Sequence, residues 1–209
     1  QIFGVSHFWN VASNIPFLLV AALGLFRYPK LLYPETAPGY LVMCIGVLFV
    51  GIGSAYYHYA PTNETLLWDR LPMTVAFMAL LSLLLGERVL QTPRPSLLWI
   101  LVTIGASTAL YWSWTESLGR GDLRPYALVQ FLPVILIPLM LVMSPQRYLN
   151  NKLLFGAFGF YFAAKAFEHY DNQIFSIMGL MSGHAIKHVA AASAVLCLIY
   201  AIPVRSDER

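Results

Sequence analysis

Residues 51–69, GIGSAYYHYAPTNETLLWD, close one long apolar segment, turn at Pro61 and open the next. The stretch carries Ser54, His58 and Asp69 at the edge of sequence apolar enough to lie in lipid. An ionisable side chain is costly there and marks function by default. A second polar cluster, Ser182, His184 and His188 in SGHAIKH, answers it near the C-terminus.

Working outward, the composition fixes the class. Of 209 residues, 58% are hydrophobic and 11% charged, with a mean hydropathy of +0.65, whereas soluble domains carry about 25% charged residues. A soluble core cannot hide that much apolar sequence, and no long polar segment is left for a second unit. The expected fold is all-α, an integral membrane bundle forming a single domain over residues 1–209. The net charge of +3 is spread over short loops without a basic patch or run, so no nucleic-acid partner is expected. Cys44 and Cys197 fall inside apolar segments and read as buried thiols, not as a disulfide framework. The chain begins at Gln1, and its first twenty-odd residues read as a retained span, not a cleaved signal peptide.

A membrane-crossing helix needs about 20 mainly apolar residues. Seven spans are expected on that basis, at residues 7–26, 39–58, 66–86, 96–114, 123–143, 152–168 and 181–201. Breakers punctuate the connections, among them Pro29, Pro34, Pro61, Pro93, Gly119 and Pro145, while Pro16, Pro72, Pro133 and Pro138 predict kinks within spans. Arg27, Lys30, Arg88, Arg94, Arg147, Lys152, Arg205 and Arg209 fall on one side, and only Arg70, Arg120 and Arg124 on the other. The positive-inside tendency then places the N-terminus outside and the C-terminus inside. With alternating directions, all five histidines lie at the outer level.

Residues four apart share a helix face, so Ser54 with His58, and His184 with His188, each share one. Three imidazoles from two helices match a catalytic zinc site, which keeps one coordination position open for water. Zinc lowers the pKa of that water from about 15.7 to about 7. Asp69 is placed to accept its proton or orient it, and Ser54 to donate to the oxyanion of a tetrahedral intermediate. Two other classes stay open on the residues alone: a seven-span receptor or sensor with a structural zinc, and a haem-binding electron carrier. His7 and His169 read as interfacial histidines, and Tyr111, Trp112 and Trp114 as an aromatic belt. Lys165, Glu168 and Asp171 read either as a helix-end ion pair with a solvated Asp171 or as a polar wall beside the metal. Arg120, Asp122 and Arg124 read as an outer loop, and Lys187 as pointing away from His188 and snorkelling toward the interface.

The segments FWNVASN, GSAYYH, LLWDRLPM and SGHAIKH, in this order and spacing, resemble the alkaline ceramidases. These lie within the CREST superfamily of seven-span membrane hydrolases, which also takes in the adiponectin-receptor group. The resemblance runs over nearly the whole chain. It implies zinc held by His58, His184 and His188, with Ser54 and Asp69 assisting the bound water. It further implies seven helices, N-terminus out and C-terminus in, and hydrolysis of the amide of ceramide or a ceramide-like lipid to a sphingoid base and a fatty acid. His7 stands where the family has a Glu in its EFWN-like segment and no acid precedes Glu35, so no calcium site of the eukaryotic kind is expected. Arg70 replaces the acid that follows the motif Asp. The compact loops and the KAFEHYD segment resemble bacterial members, which implies a bacterial inner-membrane protein.

Overall fold

The computed structural model describes residues 4–205; Gln1 and Arg209, used in the sequence reading, lie outside them. The described chain is helical, with α1 (Phe8–Ala12), α2 (Ile15–Arg27), α3 (Ala37–Tyr59), α4 (Asn63–Arg88), α5 (Pro95–Ser117), α6 (Arg124–Met143), α7 (Asn151–His169), α8 (Asp171–Met178) and α9 (Gly183–Ala201). Six segments are long and apolar enough to cross a membrane: Phe8–Lys30, Pro34–Tyr59, Asn63–Arg88, Pro95–Ser117, Arg124–Met143 and Gly183–Ala201. The seventh expected span, 152–168, corresponds to α7, which forms but carries Lys152, Lys165 and Glu168 and is not among the six.

The first segment is broken at Ser13 and Asn14, next to the kink expected at Pro16. Pro16 cannot donate the helical bond to the carbonyl four residues back. The local polar side chains take over, as is usual for breaks in membrane helices. Asn14 Nδ2 donates to the Asn10 carbonyl at 2.7 Å, and Ser13 Oγ donates to the same carbonyl at 3.2 Å. Pro72, Pro133 and Pro138, by contrast, are accommodated inside α4 and α6.

Helices α3 and α4 form the spine, joined by a turn that Thr62 and Thr65 close as a reciprocal capping box. Between membrane helices, association depends on close backbone approach at small residues. Gly39, Gly46 and Gly53, spaced by seven, face Leu83, Ala76 and Trp68 of α4. At Gly53 a Cβ would fall 1.9 Å from the Trp68 carbonyl oxygen. Helix α7 packs along α9, while α6 leans on α4 and α5.

A buried ionic knot closes the end of the bundle remote from the histidines. Glu87 and Arg88 pair with both side chains fully buried. Glu87 Oε1 accepts backbone N–H groups from Tyr148 and Leu149, each at 3.0 Å. Arg88 Nη1 donates to the Pro145 carbonyl at 2.8 Å, and Nη2 donates to Asn151 Oδ1. Every bond ties α4 to the loop between α6 and α7 and to the start of α7. At the same end, Leu31 and Val204 form an isolated antiparallel bridge.

Candidate metal centre

His58 reaches the site from the last turn of α3, and His184 and His188 from the first turns of α9. Ser182 is the N-cap of α9, its hydroxyl accepting from the Ala185 N–H at 3.4 Å. Asp171, solvated in one of the two readings of its segment and part of a polar wall in the other, accepts the His184 backbone N–H at 2.6 Å and so fixes where α9 begins. Gly183 is required between them, because a Cβ there would fall 2.1 Å from the Phe167 carbonyl oxygen.

The candidate ligand nitrogens of His58, His184 and His188 all lie within 4.8 Å of one another. His58 and His188 are buried and His184 is half-buried. His58 Nε2 and His184 Nε2 are 3.0 Å apart. A tetrahedral zinc with nitrogens at about 2.0–2.1 Å holds its ligands roughly 3.3 Å from one another, so the His58–His184 pair is close to ligand spacing, while the full set, within 4.8 Å, has to draw in around an ion. No fourth His, Cys, Asp or Glu joins the group among the described residues.

Ser13, which sequence reasoning did not single out, completes the support. Its Oγ lies 2.8 Å from His188 Nδ1. With Nδ1 engaged there, Nε2 is the nitrogen that faces the other imidazoles. Metal-ligating histidines almost always bond through their second nitrogen in this way. The available signal was the Pro16 break, which turns a run of apolar helix into a place where a hydroxyl can point inward.

The imidazoles line a cavity of about 490 Å³, together with Ser54, Asp69, Arg70, Tyr126, Glu168 and Lys187. Most of the rest of its wall is apolar, including Met43, Val47, Leu80, Ile137, Val195 and Leu198, with Gln130 and Lys165 as further polar members. Ser54 is buried, and its hydroxyl lies beside the Asp69 carboxylate, placed to donate to it. The ion pair of Lys165 with Glu168 at 2.8 Å is present, and it forms part of the cavity wall. Lys187 does not snorkel: its Nζ donates to Glu168 Oε1 at 2.5 Å, tying α9 to α7 inside the cavity. Glu168, which the sequence reading paired with Lys165 alone or set in a polar wall, takes the ammonium as well and holds it away from the interface. Trp112 is likewise not part of an outer belt; it is buried under Arg70, whereas Tyr111 and Trp114 are exposed as expected. His7 and His169 are exposed and outside the metal group. Arg124 pairs bidentately with Asp122 in the exposed loop, holding the Asp122 carboxyl down to about 2.

The model of the ceramidase family matches residues 4–204. The chain belongs to the ceramidase family. Its membership makes it a hydrolase of an amide bond in a lipid, and the apolar helices make it a multi-pass membrane protein. No match is found among curated proteins. Within the ceramidase frame the two stretches quoted first, 51–69 and SGHAIKH, are the ones that bring the three histidines together.

Proposed function

We propose that this ceramidase is a zinc-dependent intramembrane amidohydrolase that releases a fatty acid and a sphingoid base from ceramide or a ceramide-like lipid. The observation that carries the reading is the convergence of His58, His184 and His188 on one polar end of an otherwise apolar cavity. Three imidazoles gathered at one spot in a membrane protein offer a cation three nitrogen ligands. When bound there, zinc supplies the Lewis acidity that lowers the pKa of a water to about 7.

Asp69 accepts the proton of the attacking water and passes it to the amine leaving group. Ser54 has a single hydroxyl hydrogen; donated in a hydrogen bond to Asp69 it orients the carboxylate, and it becomes an oxyanion donor only by rotating its hydroxyl. Ser13 holds His188 through Nδ1. The apolar wall takes the acyl chain, which enters from the bilayer between α6 and α7: both helices line the cavity, yet each packs on other helices.

The same reading makes α7 a seventh span of a single ceramidase-like domain, with the N-terminus out and the C-terminus in, in a bacterial inner membrane. Support for the seventh span comes from its two ends. Asn151, at its start, is bound to Arg88 in the remote knot, and Glu168, near its end, meets Lys187 beside the histidines. The helix therefore runs the height of the bundle.

The test is fatty acid release from N-acyl sphingosine by purified protein in detergent, read by mass spectrometry. Wild type is expected to release it and Asp69→Ala to lose nearly all release; a wild type that frees no fatty acid from any lipid amide sinks the proposal.

A further inference from the structure

Arg70, the residue that departs from the family pattern, lines the same cavity one position after Asp69. Its guanidinium lies 4.0 Å from the ring centroid of Trp112 and 5.3 Å from that of Tyr126. Both rings are buried, so the cation is held by stacking, the mode that suits arginine's planar, weakly hydrated charge. Its Nη1 is buried and has no hydrogen-bond partner among the described residues. A buried donor without an acceptor is costly and asks for an explanation.

Charge compensation by Asp69 is the simplest account, yet no hydrogen bond satisfies Nη1. The other cations of the cavity, Lys165 and Lys187, are both spent on Glu168. The lining holds Arg70, Lys165 and Lys187 against Asp69 and Glu168; with both lysines on Glu168, Asp69 is the carboxylate near Arg70, and the cavity still carries one cation more than it has carboxylates.

We infer that Arg70 is a specificity-determining residue that receives an anionic group, a carboxylate or a phosphate, carried by the lipid near its scissile amide. This rests on the hydrolase reading above and narrows its substrate class from neutral ceramide to acidic N-acyl lipids. Arginine forks match both anions bidentately, and a hydrogen bond to a charged group of this kind corresponds to about tenfold to a hundredfold in affinity or kcat/KM. A neutral lipid leaves the Nη1 donor unanswered, which is the form of discrimination that polar sites perform best.

The experiment compares ceramide, ceramide 1-phosphate and N-oleoyl glycine, in detergent, with the zinc-loaded full chain. Hydrolysis is read by mass spectrometry, and binding by the shift in melting temperature. Wild type is expected to prefer one of the two anionic lipids over ceramide by at least tenfold in kcat/KM. The phosphate and carboxylate arms show which anion is taken. In Arg70→Gln that ratio is expected to fall at least tenfold, and in Arg70→Lys, which keeps the charge and loses the fork, by an intermediate amount. Ratios within one preparation are independent of the folded fraction. A wild type that cleaves ceramide at least as well as both anionic lipids overturns the inference and leaves the hydrolase intact. Anionic lipids that bind in an Arg70-dependent way, with none of the three lipids cleaved, support Arg70 and overturn the hydrolase. Absence of any anion-dependent binding or cleavage overturns Arg70's role outright.

Discussion

The Ser13 hydroxyl sits 2.8 Å from His188 Nδ1, joining the break in the first apolar segment to the three-histidine cluster near the other end of the chain. Ser13 passes the interaction on to the Asn10 carbonyl, so the imidazole is anchored to backbone through one hydroxyl. Removing such an outer partner typically weakens metal binding about 10–100-fold. Ser13→Ala is expected to show that loss in a zinc-chelator competition titration while remaining folded. An affinity equal to wild type would make the contact incidental.

Asp69 lines the cavity but does not belong to the metal group. Its replacement should therefore separate chemistry from metal binding. Asp69→Asn is expected to lower kcat by about 10²–10⁴-fold, the range of general acid–base contributions, with zinc content unchanged. Loss of the metal along with activity would instead make Asp69 a ligand or a structural support.

Gly53 stands one residue before Ser54 and against the Trp68 carbonyl, which precedes Asp69. Adding a methyl there forces α3 and α4 apart at the two residues the proposed chemistry uses. Gly53→Ala is expected to destabilise by roughly 1–3 kcal/mol, the usual cost of overpacking, and to lower activity beyond its effect on folding. A melting temperature equal to wild type would show that the helices separate freely.

The Glu87–Arg88 knot predicts a non-additive pair. Truncating one member leaves a buried charge, which costs about 3–5 kcal/mol. Glu87→Ala is therefore expected to lower thermal stability sharply, whereas Glu87→Leu combined with Arg88→Met recovers most of it. A double variant as unstable as the sum of its singles would mean that the bonds to residues 145–151, not the charge pair, hold the loop.

Much of this was legible in the chain. The apolar runs and their breakers located the long helices, and the four-residue spacings of Ser54 with His58 and of His184 with His188 announced two faces that the fold does bring together. What escaped depends on partners distant in sequence. Ser13 looks like part of a span until the Pro16 break turns it toward α9. Lys187 looks like a snorkelling lysine until Glu168 of α7 stands opposite it. Glu87 and Arg88 look like a helix end until the loop at 145–151 closes over them. The seven-residue spacing of Gly39, Gly46 and Gly53 was visible all along, but only the facing helix gives it meaning. Charge counts alone cannot tell a span from a surface helix in α7, where Lys165 and Glu168 face the cavity.

The central claim is that His58, His184 and His188 jointly hold one catalytic zinc. Its most direct test is elemental analysis of protein purified without chelators, wild type beside His184→Ala, with fatty acid release from N-acyl sphingosine measured on the same samples. The account predicts about one zinc per chain in wild type, and loss of both metal and release in the variant. Wild type without zinc, or His184→Ala with full zinc and full release, would contradict it.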